Sequence, residues 1–224
     1  AHVLELWKWF RDGNPDRPVI VSGATTIACA KLAINATLSS RTAWANDVAV
    51  RAKAFGADPA TVCKIVGMDP RIGPAFSTPG FPPGGPCLPR DLDVWQSAPG
   101  QGMAEAVLVS HRITRQRILA QIMEELKAKL IKTVLVIGLT YKEGGLDYTD
   151  ALGPAVTREC AKAGYKVYAY DREGTSAEVL AQMGAERAGA HQAFWQDAVI
   201  VGFPGYPEEC ALTLPDNPRD VTII

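Results

Sequence analysis

The sequence predicts an α/β chain in two unlike parts, a helical domain followed by a parallel, doubly wound sheet. Two observations carry this. From Thr133 onward, short apolar strands alternate with helices over about 90 residues. Before that point, residues 27–55 and 103–130 have the length and periodicity of long helices.

The elements follow in order. VLELWKWFR, residues 3–11, reads as the end of an amphipathic helix. DGNPDRP is then a turn and PVIVS, 18–22, a short strand, together the tail of an α/β domain whose beginning is absent. Thr25 or Thr26 is a suitable cap for the next helix, Ile27 to Phe55, which ends at Gly56. ADPATVCKIVGM is a second, shorter helix, and DLDVWQ begins another at Asp91. Residues 103–130 turn Leu108, Ile113, Ile118, Ile122, Leu126 and Leu130 inward. TVLVIGL, KVYAYD, AVIVGF and VTII are strands, and GPAVTRECAKAGY and SAEVLAQMG are helices.

Bulk properties exclude several classes. The chain has 224 residues, 47% hydrophobic and 21% charged, with net charge −1. It is globular, without the basic excess of a nucleic-acid binder or the charged tail of a membrane-surface protein. No apolar run reaches the roughly 18 residues of a spanning helix, and no signal peptide is visible, so the expected location is cytoplasmic. Cysteines at 29, 63, 87, 160 and 210 are odd in number and lack CxxC spacing. His2, His111 and His191 are scattered, so neither a disulfide framework nor a metal site is expected.

Two features carry chemistry. On the first long helix Lys31, Asn35, Thr42 and Asn46 lie within roughly 60° of one another. Such a stripe is either a solvated face or donors gathered at a site, and Arg41, Asp47, Arg51 and Lys53 are available to mark the wet face. A lysine and an asparagine one turn apart are able to aim donors at one developing oxyanion. The second feature is GFPPGGPCLPRD, residues 80–91. Gly84 and Gly85 permit close backbone approach, and Pro86 and Pro89 stiffen the chain around Cys87. Arg90 is placed to favour a thiolate, and a merely packed thiol needs no such backbone.

GFPPGGPCLPRD resembles a loop written roughly GFGGxCxPKD, and ACAKLAINATL resembles ExxKLxxNxF. MDPRIG and VLVIGLTYKEG match two further segments of the same group, the UDP-glucose/GDP-mannose dehydrogenase family of nucleotide-sugar 6-dehydrogenases. The resemblance implies a helical central dimerisation domain followed by a Rossmann-like parallel-sheet domain, with an N-terminal NAD-binding Rossmann domain largely missing. The corresponding division is 1–21, remnant of that NAD domain; 22–117, central domain with the cysteine loop; and 118–224, nucleotide-sugar-binding domain. It also implies four-electron oxidation of a nucleotide sugar at carbon 6 to a uronic acid, with NAD as cofactor, in polysaccharide biosynthesis. By position Cys87 is the nucleophile, Lys31 and Asn35 hold the oxyanion, and Asp91 acts with Lys31 and water in proton transfer. Arg71 and Lys142 bind substrate, Arg71 across a homodimer formed through the central helices, and Gly84 and Gly85 let the loop lie against the sugar.

The chain departs from the family pattern at several points. Ala28 stands for a glutamate, Pro82-Pro83 for Gly-Phe, and LDYTDA lacks an arginine near Thr149. Two other readings stay open: a diverged protein that binds a nucleotide sugar or dimerises without oxidising, and a β-hydroxyacid dehydrogenase relative, which shares Lys-x-x-x-Asn and needs no cysteine.

Overall fold

The computed structural model describes residues 19–142, 145–171 and 174–188, and the backbone of two strands at 198–201 and 221–222. The helix expected at 3–11 and the turn after it lie outside the described residues. The strand expected at 18–22 is not formed over 19–22.

The helical part has four elements. Helix α1 spans Ala24–Ala54 and α2 Pro59–Met68. Helix α3 spans Leu88–Gln96 and α4 Met103–Ala128. The cap of α1 is Gly23, without a side-chain bond, so Thr25 and Thr26 lie inside the helix and do not cap it. Asp58 caps α2, its carboxylate accepting from the Thr61 N–H, and Pro59 follows at a position where no N–H is needed. Alanine dominates the buried face of α1, where Ala36 and Ala43 pack with Leu92 of α3 and Val107 of α4. Small side chains let these helices approach closely. Helix α3 begins at Leu88, one turn before the expected Asp91, because Pro89 fits the first helical turn.

The sheet part follows: β1 Thr133–Ile137, α5 Leu152–Lys162, β2 Lys166–Tyr170, α6 Ala177–Met183, β3 Glu186–Arg187, β4 Ala198–Val201 and β5 Val221–Thr222. All pairings are parallel, in the order β3-β2-β1-β4-β5. The expected strands and helices are present, and β3 is an additional two-residue strand. The chain reverses direction across the sheet between β1 and β4, so the crevice beyond their carboxyl ends is the topological switch point where ligands of such sheets bind.

Helix α4 joins the two parts. Its first half packs on α1 and α3, while Ile122 and Leu126 enter the sheet core with Val134, Val136, Val156, Cys160 and Val167. Two residues expected to face inward do not. Ile113 is 58% exposed and Leu130 84% exposed. Ile113 lies nine residues from Ile122, half a revolution away at about 100° per residue. Leu130 lies past the helix end with φ +55°.

Candidate active site around Cys87

Two members of the polar stripe of α1, Lys31 and Asn35, converge on one carboxylate, although Lys31 is still half exposed. Lys31 Nζ donates to Asp91 Oδ2, and Asn35 Nδ2 donates to the same oxygen at 2.5 Å. Arg90 donates to the other oxygen, Oδ1, through Nε at 3.1 Å and Nη2 at 2.8 Å. Asp91 is almost wholly buried, while Lys31 and Arg90 keep much of their length in solvent. The Lys31 hydrogen bond, helped by Arg90 and Asn35 and opposed by burial, lowers the Asp91 carboxyl to about 2. Further along the stripe, Asn46 Oδ1 accepts from the Gly80 N–H at 2.8 Å, holding the start of the cysteine loop. Thr42 turns its hydroxyl back to the Leu38 carbonyl at 3.2 Å.

Cys87 is exposed and forms the N-cap of α3; its carbonyl accepts from the Asp91 N–H at 2.9 Å. The thiol and the buried carboxylate are therefore one helical turn apart. Arg90 gives its fork to Asp91 and remains within electrostatic reach of the Cys87 thiol.

The two loop glycines meet protein. Gly85 has φ +84°, and its N–H donates to the Thr149 carbonyl at 2.7 Å. A Cβ on Gly85 would lie 2.6 to 2.8 Å from atoms of the Tyr141 ring. A Cβ on Gly84 would lie 3.0 Å from the backbone of Thr149 and Asp150. The close approach expected against a sugar is thus made against the loop that follows β1 and the turn before α5. Lys142 is in the same loop, exposed, with Nζ 5.6 Å from the Tyr141 ring centroid, just beyond the carboxyl end of β1. The same end of the sheet is organised by Asp171, whose carboxylate accepts from the Leu139 N–H at 2.6 Å and the Thr140 N–H at 3.1 Å.

Arg71 is not part of this cluster. It is exposed and its guanidinium is paired with Asp69, at 3.0 and 2.6 Å. Its loop is pinned to α1 by Arg41, which donates to the carbonyls of Ile72, Gly73 and Ala75 and to the Ser77 hydroxyl at 2.6 to 2.9 Å. Arg41 therefore does not mark a wet face. Pro82 and Pro83 wall a cavity of about 430 Å³ behind the cysteine loop, shared with His111, Arg112, Arg115 and Asp150. Neither ring nitrogen of His111 makes a well-aligned hydrogen bond, and burial lowers its pKa, opposed in part by a looser contact with the Ser39 backbone.

Residues 25–113 match the model of the UDP-glucose/GDP-mannose dehydrogenase family, central domain. Over that segment the chain is similar to the family's central domain. The matched span includes Lys31, Asn35, Arg71, Gly84, Gly85, Cys87 and Asp91. UDP-glucose 6-dehydrogenase AglM of Haloferax volcanii is 32% identical over 169 residues, 74% of this chain and 39% of that protein. UDP-glucose 6-dehydrogenase TuaD of Bacillus subtilis is 30% identical over 159 residues, 69% of this chain and 34% of its own. The chain spans about two fifths of the length of such curated relatives. A UDP-glucose dehydrogenase structure from Pyrobaculum islandicum superimposes with TM-score 0.75 at 25% identity, covering 96% of this chain and 52% of that one. The UDP-D-ManNAc dehydrogenase of Pyrococcus horikoshii shares the fold, with TM-score 0.67 at 19% identity over 93% of this chain and 53% of its own. The family's fold is the one described above, a helix-rich part with a small parallel sheet. No helix among the described residues is long and apolar enough to cross a membrane.

Proposed function

We propose that the protein takes part in oxidising a nucleotide sugar of the UDP-glucose or GDP-mannose type at carbon 6, giving a uronic acid through a covalent bond to Cys87. The observation that carries this reading is the convergence of Lys31 and Asn35 on Asp91, one turn from the exposed Cys87 thiol. An isolated surface cysteine has no use for a buried carboxylate and two donors from a helix 56 or 60 residues away.

The bond changes balance as follows. The C6 alcohol loses a hydride and a proton to give the aldehyde. Cys87 Sγ adds to the aldehyde carbon and forms a thiohemiacetal, which cannot diffuse away. Loss of a second hydride and a proton leaves a thioester, and water cleaves it to the carboxylate and the free thiol. Lys31 and Asn35 retain donors beyond those given to Asp91, and these stabilise negative charge on the substrate oxygen in the addition and hydrolysis steps. Asp91, held at about 2, is a weak base near neutral pH. Its role is to fix Lys31 and Asn35 and to orient a water, more than to take the proton itself.

Two NAD+, the acceptor the family resemblance implies, would each take one of the two hydrides. The described residues do not fit it. The β1 loop has one glycine before Leu139, and α5 begins only at Leu152, so no short Gly-rich turn brings a helix N-terminus onto a pyrophosphate. No step is assigned to the described residues through that group.

Lys142, at the switch point of the sheet, is suited to the substrate's phosphates. Arg71 is exposed and pairs with Asp69, not with the residues around Cys87, which leaves it suited to a role across a homodimer. Exposed Ile27, Ile34 and Trp44 on α1 support that assembly through the central helices.

The test is the full-length protein with NAD+ and UDP-glucose or GDP-mannose. Two NADH per sugar are expected, with no uronic acid formed by Cys87→Ser. Nucleotide-sugar binding without NADH would instead establish a non-catalytic binder, and full turnover by Cys87→Ser would remove the covalent mechanism.

A further inference from the structure

Resting on that reading of Cys87, we propose that Arg115, Tyr141 and the Thr149–Asp150 turn are positioning residues, which set the place of the nucleophile from the sheet side. The cysteine loop is held at two ends. Its start is fixed to α1 by Asn46, and its end runs into α3, whose Asp91 is fixed to Lys31 and Asn35. Between these points Pro82, Pro83 and Pro86 have no N–H to give. The Gly85 N–H, two residues before Cys87, is given to the Thr149 carbonyl.

That bond demands a particular surface. Gly85 must adopt φ +84° with its α-carbon against the Tyr141 ring, and Gly84 must lie against the Thr149–Asp150 backbone. Asp150 is itself in the left-handed region, at φ +53°, which Asp enters more readily than most L-residues but still at a cost that neighbouring contacts offset. Arg115 of α4 supplies such contacts. It donates to Asp150 Oδ1 at 3.0 Å and to the Asp150 carbonyl at 3.2 Å. Its guanidinium also lies 5.1 Å from the centroid of Phe81, in the cysteine loop. One side chain thus touches both the turn and the loop that docks on it. Tyr141 adjoins Lys142, so the surface that seats the loop is continuous with the proposed phosphate site. Occupation of that site and order in the cysteine loop are accordingly coupled.

The experiment is hydrogen exchange of the loop peptide containing Gly85 in the full-length protein, alongside steady-state kinetics with UDP-glucose. Arg115→Ala is expected to speed exchange of the Gly85 amide about fivefold or more, the loss of roughly one charged hydrogen bond, with amides of α2 unchanged. The value of kcat should fall, KM should rise by the smaller amount that this coupling requires, and Arg115→Lys, which keeps a charged contact to Asp150, should recover part of each effect. Bound UDP-glucose should slow Gly85 exchange in the unaltered protein. Unchanged Gly85 exchange in Arg115→Ala, or equal acceleration at every amide, overturns the proposal. An unaltered protein that shows the local exchange pattern but oxidises no sugar refutes the enzymatic reading and leaves the clamp standing.

Discussion

Lys31 and Asp91, 60 residues apart in sequence, are joined by a direct ion pair from Nζ to Oδ2, and Asn35 shares that oxygen. The pair fixes α3 to α1 and thereby places Cys87, the residue that starts α3. Asp91→Asn in the full-length protein is expected to lower kcat for nucleotide-sugar oxidation by at least about 100-fold, the usual scale for losing one oxyanion-stabilising group. Lys31→Ala should do the same. The double variant should lose little more than either single one, because the residues act as a unit. Multiplicative losses would show that they act independently.

The charge on Asp91 has a consequence for acid stability. Its carboxyl is held below the ordinary 3.8, at about 2, first by Lys31 and then by Arg90 and Asn35. A depressed carboxyl contributes stability that is complete above the unfolded value and is lost as pH falls through the folded one. The window is therefore about pH 4 down to about pH 2. Thermal melts across it should fall more steeply for the unaltered protein than for Asp91→Asn. Asp58, Asp69 and Asp147, also lowered by their hydrogen bonds, are common to both proteins and cancel in the difference. Parallel curves would contradict the assignment.

His111 shifts for the opposite physical reason. Burial disfavours its charged form, and Arg115 adds to this, while Asp93 and Asp150 line the same cavity without reversing it. Its stability contribution is complete above the ordinary 6.5 and declines as pH falls below it. His111→Phe removes two buried ring nitrogens, of which at most one has a loose contact with the Ser39 backbone, and is expected to stabilise the fold by up to about 1 kcal/mol. It should also flatten the loss of melting temperature between about pH 6.5 and 5. A destabilised variant would mean that the ring nitrogens have partners in solution.

Thiol labelling separates the four cysteines among the described residues. Cys29 and Cys87 are exposed, whereas Cys63 and Cys160 are buried, and burial pushes Cys160 up to about 12. Native protein treated with iodoacetamide at neutral pH should be modified at Cys29 and Cys87, with Cys63 and Cys160 reacting only after unfolding. Mass mapping of the peptides decides this, and rapid modification of native Cys160 would refute the packing of α5.

Gly153 begins the first turn of α5 against the end of β1. A Cβ there would fall inside contact distance of the Gly138 carbonyl oxygen and lie 3.0 Å from the Leu139 α-carbon. Both obstacles are backbone and cannot swing aside. Gly153→Ala is expected to cost about 3 kcal/mol in urea unfolding. A cost under about 0.5 kcal/mol, typical of a surface substitution, would show that the helix start is free to shift.

The sequence makes the sheet legible because strands are short runs rich in β-branched or aromatic residues, β-branched in TVLVI and AVIV and aromatic in KVYAY. The two-residue β3, ER, has no such signal. Helix boundaries depend on local detail. Gly23 displaces the two threonines as cap of α1, and Pro89 starts α3 a turn early. At the site, the stripe of Lys31, Asn35 and Asn46 is visible as periodicity, but its partners Asp91 and Gly80 are tertiary. Arg41 reads as a solvent-facing charge because nothing local to it announces the carbonyls of 72–75. Arg115 and Asp150 carry no motif. The only hint was that LDYTDA departs from the family pattern at the place where the cysteine loop docks.

Helix α4 has 26 residues, a rod of about 39 Å at 1.5 Å per residue. Among the described residues it ties the helical layer to the sheet at one place, and the cysteine loop makes a second place of contact through the Gly85–Thr149 bond, Phe81 and the surface around Asp150. A body tied at one point can swing; tied at two separated points, it can turn only about the line that joins them. A tilt of about 5° of the sheet would move the far end of the rod by about 3 Å. The cysteine, close to the second tie, would lie near the pivot and scarcely move.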